Sequence, residues 1–189
     1  MFIWATMNSA DQGVFPMDTA FKRRWSFKYI GVDDEEFHVD ITPGSGTKAA
    51  RENQGGTFTV AGNAIEWNVL RRAINSKLSN SIIKVHEDKL MGPFFLKTMD
   101  KTGGILLTDD EFIDLFCDKV IMYLFEDAAK TKRQDLFSGC KDKDRLNRYS
   151  YICKEFRTRG IAIFGDDFLS KEYADQRSER DQAKAAAEK

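Results

Sequence analysis

The apolar positions of this chain change rhythm several times, and each rhythm predicts a different element. Phe2 to Thr6 is a short apolar run closed by polar residues, the pattern of a buried strand. "NSADQG" follows with the chemistry of a turn. "MDTAFKRR" predicts one short helix, with Asp18 near its start and basic residues in its last turn, both suited to the helix dipole. In "WSFKYIGV" the residues Trp25, Phe27 and Tyr29 share a face, which predicts a second strand closed by Gly31. Residues 33–62, with "PGSGTK" and "ENQGG", read as an irregular surface connection with little core. Near its end "TFTVAGNAIEW" allows a small hairpin around Gly62–Asn63.

Beyond residue 62 the period turns helical. Trp67, Leu70, Ile74 and Leu78 recur at helical spacing, with Val69 and Ala73 beside them. Gly92–Pro93 and Gly103–Gly104 break the pattern. "LTDDEF" is a capping box, in which Thr108 accepts from the Glu111 amide and Glu111 reaches back. It opens a long helix whose stripe runs through Phe112, Leu115, Phe116, Lys119, Val120, Tyr123, Leu124 and Ala128. A further helix is expected over 144–157 with Leu146, Tyr149, Cys153 and Phe156 inward, and Asp166 is a candidate cap for a last short one. The tail "DQRSERDQAKAAAEK" is charged and Ala-rich without an apolar stripe, so a frayed helix or a disordered end is expected. The chain thus divides into segments 1–32, 33–62, 63–170 and 171–189.

Composition narrows the function classes. With 189 residues, 42% hydrophobic and 12% aromatic, the chain can bury a core. A net charge of −1 gives no global case for nucleic acid or an anionic membrane, though local basic patches remain open. No run reaches the roughly 18 apolar residues of a membrane span, and the opening lacks the basic region of a signal peptide. Cys117, Cys140 and Cys153 have no metal-type spacing and fit reduced thiols of a cytoplasmic protein, Cys117 as core packing. Two histidines, His38 and His86, make a site of several imidazoles unexpected.

The opening carries the chemistry. Hydrolysing a nucleotide needs a metal, a placed water and positive charge on the γ-phosphate. Asn8, at the tip of a strand, is the type of residue that orients a water, and Arg23 and Arg24, at a helix end, are the type that reaches a neighbour's site. The plainer readings are a turn-forming Asn and a solvated Arg pair. "TMNSAD" followed by "MDTAFKRRW" resembles the sensor-1 and arginine-finger segment of AAA+ NTPases, most closely the McrB-like family of restriction and defence systems. Trp25 stands where that family more often has Phe. "IEWNVLRRAIN", "DKLMGPFFL" and "FCDKVIMYLFEDAAK" resemble the family's lid helices, so the likeness runs over about residues 2–137.

The resemblance implies an α/β remnant, the C-terminal strands of an AAA+ core in 1–32, followed by a mainly helical lid in 63–170. It makes Asn8 the sensor-1 amide, places Asp11 in the loop after it, lets Asp18 orient the short helix, and makes Arg23 and Arg24 the trans-acting finger and its neighbour. Gly92, Pro93 and Phe94 then lie in the lid near the nucleotide base or the subunit interface. No G-x-x-x-x-G-K-[ST] occurs, and "GSGTKAA" at 44–50 fails because Ala49 follows Lys48. The expectation is a C-terminal piece of a ring-forming motor. ATP or GTP with Mg²⁺ would serve the complete enzyme, with no tight binding to this chain alone. Its expected partners are its own copies or a full-length AAA+ subunit, a nuclease, and DNA indirectly, with no membrane. Two alternatives remain open. One is a non-enzymatic helical interaction module that acts on a full-length relative. The other is nucleic-acid binding through "KTKRQ" and "KDKDRLNRYSYICKEFRTR".

Overall fold

The computed structural model describes residues 18–189, without the side chains of Phe21 and Lys22. The strand expected at Phe2–Thr6, together with Asn8 and Asp11, lies outside the described residues. The chain forms two compact units, Met1–Gly31 and Val32–Lys189.

In the first unit a single helical turn, α1 (Thr19–Lys22), ends with the Arg23 amide donating to the Thr19 carbonyl at 3.2 Å. Trp25 to Ile30, expected as a strand, belongs to no sheet among the described residues, and Tyr29 is 70% exposed. Alternation alone does not make a strand; a neighbouring ladder has to complete it.

The second unit begins with two antiparallel hairpins, the first within the stretch expected to be irregular and the second the small hairpin expected near its end. The first pairs β1 (Phe37–Ile41) with β2 (Lys48–Glu52), Val39 opposite Ala50. The second pairs β3 (Thr57–Val60) with β4 (Asn63–Glu66), Phe58 opposite Ile65. Its two-residue turn is Ala61–Gly62, one position earlier than the sequence suggested. Both residues have positive φ, 48° and 80°, as the tight turn that matches strand twist demands. In β3 the alternation buries Phe58 and Val60 while Thr57 and Thr59 face out.

β4 runs directly into α2 (Trp67–Ser79), the spine of the unit. Trp67, Val69, Leu70, Ala73, Ile74 and Leu78 are all fully buried. Thr108 and Glu111 form the expected capping box at the start of α3 (Asp109–Leu115). The helix then continues through wider turns at Phe116–Ile121 and Leu124–Ala128. Phe112, Phe116, Val120 and Leu124 repeat every fourth position, and all are fully buried. On a regular α-helix such a repeat drifts by about 40° per step, and turns of more than 3.6 residues absorb that drift. The stripe therefore stays on one face.

α4 (Arg133–Leu136) and α5 (Tyr149–Arg159) complete the middle of the unit. Helix α5 starts five residues later than expected, after a short 3₁₀ turn at Lys143–Arg145. A column of rings forms the core. Phe58 stacks on Phe112 at 4.1 Å, Trp67 meets Phe112 and Phe116 edge-on at 6.3 Å, and Phe116 stacks on Phe156 at 4.4 Å. Gly139 lies against the backbone of the 160–165 turn, where an added Cβ would stand 1.7 Å from the Ala162 carbonyl oxygen.

The charged tail is a docked helix, α6 (Glu172–Ala187), that packs on α2, β1 and β2. It has almost no apolar stripe; Tyr173 and Arg180 are its buried residues. The Tyr173 hydroxyl accepts from the Glu66 amide at 2.8 Å. Arg180 donates to Glu52 on β2 and, at 2.5 Å, to Glu66 at the start of α2. Burial by itself would lower the Arg180 pKa, but the charges and hydrogen bonds of Glu52 and Glu66 raise it above the ordinary value. Asp166, expected as a cap, pairs instead with Arg159 at 2.9 Å. Among the described residues no helix is long and apolar enough to cross a membrane.

Arg180→Ala leaves two largely buried carboxylates without their shared cation, and the expected loss of stability in urea unfolding is about 3 kcal/mol. Gly139→Ala forces the 160–165 turn away and is expected to cost about 3 kcal/mol in the same assay. A change below the error of the assay in either variant contradicts the packing described.

Candidate functional site

Two sequence motifs come together on one face of α2. Trp67, Arg71 and Asn75 are spaced four residues apart, so they lie along one side of the helix. Each hydrogen-bonds the backbone of the Met91–Pro93 segment. Trp67 Nε1 donates to the Pro93 carbonyl at 3.3 Å, and Arg71 Nη1 donates to the Met91 carbonyl at 3.0 Å. Asn75 grips Met91 from both sides: its Nδ2 donates to the carbonyl at 2.8 Å and its Oδ1 accepts from the amide at 3.0 Å. The "W-N-V-L-R-R-A-I-N" stretch is thus the clamp on the "M-G-P" stretch.

Arg71 is fully buried, and its charge needs an answer. It comes from "DDEE", read in the sequence as part of a loop. Asp33 Oδ1 accepts from Arg71 Nη1 at 2.6 Å, and Glu36, itself fully buried, lies 3.5 Å from Arg71 Nη2. Arg72 forks onto both oxygens of Glu36. Burial pulls the Arg72 pKa down, and the hydrogen bond and charge of Glu36 more than offset it, so the net shift is upward. Two arginines and two carboxylates therefore neutralise one another beside the clamped segment. A hint was present in the sequence: an Arg–Arg pair sits in a helix whose inward positions are mostly apolar.

The residues singled out in the sequence are distributed as follows. Asn8 lies outside the described residues. Arg23 and Arg24 belong to the first unit; both are exposed just after α1. Gly92, Pro93 and Phe94 belong to the second. Gly92 is half-buried, Pro93 is buried, and Phe94 is 58% exposed on a short turn, Pro93–Phe95. Phe95 packs inward on Tyr123 at 5.1 Å, which leaves Phe94 as the outward ring. Among the described residues no three His, Cys, Asp or Glu side chains gather as metal ligands. Gly44 and Gly46 of "GSGTKAA" occupy the tip of the β1–β2 hairpin with nothing within 4 Å of where their Cβ atoms would be. That is open surface rather than a phosphate cradle.

The chain is 42% identical over 129 residues to the type II restriction enzyme BsuMI component YdiS of Bacillus subtilis (strain 168). The match takes in 68% of this chain and 31% of the relative, so this chain corresponds to about a third of the relative's length. No family model and no solved structure matches the chain.

Asn75→Ala strands the amide of Met91 in the core and leaves its carbonyl to Arg71 alone. A buried orphan costs about 1–3 kcal/mol, and a loss of that size is expected by chemical denaturation. Asn75→Ala with wild-type stability contradicts the clamp.

Proposed function

We propose that the chain is a C-terminal portion of an AAA+ NTPase from a restriction-type system, built as the last strands of the core followed by a helical lid. The likeness to a restriction-enzyme component supports the restriction-type part of this reading. The order of motifs supports it further, with Asn8 and the Arg23–Arg24 pair ahead of the lid elements that α2 and the Met91–Pro93 segment represent. In this reading Asn8 orients the hydrolytic water. Arg23 or Arg24 supplies charge to the transferring phosphoryl group in a neighbouring subunit, an effect of about 10³–10⁵ in rate when such a finger is essential. The exposure of both arginines at the end of α1 suits that reach.

The sequence carries no G-x-x-x-x-G-K-[ST] to hold the phosphates of ATP or GTP and its Mg²⁺. The nucleotide is therefore assigned to a complete subunit, and this chain contributes in trans. Copies in a ring or a full-length AAA+ subunit are the proposed partners. A nuclease partner would bring the assembly to DNA.

One observation favours a second reading, a non-enzymatic interaction module. Val32–Lys189 is a compact unit with its own core and its own internally neutralised ion cluster. Such a unit could dock on a full-length relative without lending it a catalytic group.

The test adds the chain to a complete nucleotide-hydrolysing relative and measures the rate. The chain alone is expected to hydrolyse neither ATP nor GTP, and its addition is expected to raise the relative's rate. Arg23→Ala or Arg24→Ala is expected to abolish that rise. A rise that survives both substitutions contradicts the finger and supports the module.

A further inference from the structure

Outside the α2 clamp, a cleft of about 670 Å³ opens between the β1–β2 hairpin and the segment Phe94–Lys101. Its walls carry His38, Arg51, Phe94, Lys97, Asp100 and Lys101. Three features make it a shaped surface rather than a loose gap.

The first is an exposed aromatic on a fixed backbone. Phe94 stands on a turn whose neighbouring carbonyl, that of Pro93, is held by Trp67 Nε1 from the core. Its ring contributes nothing to the hydrophobic core, and the backbone that carries it is already fixed. The second is a fixed floor. Gln54 adopts a positive φ of 51°, rare for a residue with a side chain. From there its amide accepts from the Thr98 and Met99 amides at 2.8 and 3.0 Å and donates to the Met99 carbonyl at 3.1 Å. The strained residue pins the 98–99 backbone beneath the lysines.

The third is charge. Lys97 and Lys101 are exposed and enter no ion pair among the described residues. Arg51 stretches over Gly103, where an added Cβ would lie 2.9 Å from its Cδ. Its Nε is 3.7 Å from Asp40, an exposed pairing of small worth, and His38 Nε2 is 3.1 Å from the same carboxylate. Of the cleft's acids, Glu52 is already answered by Arg180 and Asn68. Asp100 is turned to its own loop and accepts from the Thr102 hydroxyl at 2.6 Å, the Thr102 amide at 2.7 Å and the Gly104 amide at 2.9 Å. Those bonds hold its carboxyl below the ordinary carboxylate range.

We propose that this cleft binds a single-stranded nucleic acid, with one base stacked on Phe94 and the backbone phosphates on Lys97, Lys101 and Arg51. An aromatic platform beside flexible cations is how proteins hold single strands. A free nucleoside triphosphate fits less well, because its phosphates are usually cradled by backbone amides at a glycine-rich turn. The glycine-rich turn here is Lys101–Gly104, and the Thr102 and Gly104 amides are spent on Asp100. The inference goes beyond the nucleotide-hydrolysis reading and does not rest on it: no residue of the proposed finger takes part.

The experiment is fluorescence anisotropy of the full chain with a labelled oligothymidylate of about 20 nucleotides across a salt series. Wild type is expected to bind at low salt with an affinity that falls as salt rises. Replacing Lys97 and Lys101 together by Ala is expected to weaken binding at least about tenfold. It also flattens the log–log salt slope by about 1.4, or 0.7 per lost phosphate contact. Phe94→Ala is expected to weaken binding about tenfold with the slope unchanged, and Phe94→Trp to retain it. All three sites are exposed, so melting temperatures should match wild type. Failure of the wild type to bind at low salt overturns the proposal, as does wild-type binding by both the lysine and Phe94→Ala variants. Displacement of the strand by ATP or GTP as effectively as by unlabelled strand, at equal nucleotide concentration, overturns it in favour of a mononucleotide site.

Discussion

Arg71 is a guanidinium placed where no water reaches, and the second unit is arranged around that fact. A buried charge is tolerated only when counter-charge and hydrogen bonds surround it. Asp33 and Glu36 supply the charge from one side, and the Met91 carbonyl and Asn68 supply further acceptors from the others. The chain before the first hairpin, the spine helix and the segment after the 3₁₀ turn at Glu87–Lys89 therefore meet at one residue. None of these polar contacts survives if the helix rotates by one position. An apolar face could slide; this one has a single register.

A second ion cluster repeats the logic at the start of the spine. Glu66, at the N-cap position of α2, shares Arg180 with Glu52, so the hairpins, the spine and the last helix are joined by one side chain. Asn68, which donates to Glu52 and accepts from Arg71, links the two clusters, and the ring column of Phe58, Phe112, Trp67, Phe116 and Phe156 runs through the core. Ion clusters set the register while the rings add apolar burial, each buried aromatic being worth about 1.5–3 kcal/mol. Phe94 is left outside this division, on a turn made stiff by the clamp behind it.

How much of this the sequence disclosed depends on which forces were at work. Trp67, Leu70, Ile74 and Leu78 announced α2 because their burial follows the helical period, and Thr108 with Glu111 announced the start of α3 because capping is local. The second hairpin was legible around Gly62, but the first was obscured: "FHVDI" alternates over only five residues, and β1 and β2 bury little beyond Ala50 between glycine-rich stretches that read as loop. α6 was obscured for the opposite reason: it docks through Arg180 and Tyr173, and an ion pair between residues 52 and 180 leaves no periodic trace. The wide turns after Leu115 hid in plain view, since a strict four-residue repeat looks helical until its drift is counted. Of the candidate site, the arginines of α2 and the "M-G-P" stretch were each visible, but nothing local says that one clamps the other. The acids Asp33 and Glu36 were invisible as partners, because charge in a turn-rich stretch is ordinarily solvated.

The central claim is that the polar face of α2 holds the Met91–Pro93 segment as firmly as the helix holds itself. Amide hydrogen exchange at Met91 tests this most directly, because that amide donates to Asn75 Oδ1 and to no regular element. The account predicts protection at Met91 equal to that of the buried amides around Ile74. Exchange at Met91 as fast as at exposed Lys101 would contradict it, and would reduce the clamp to a surface contact.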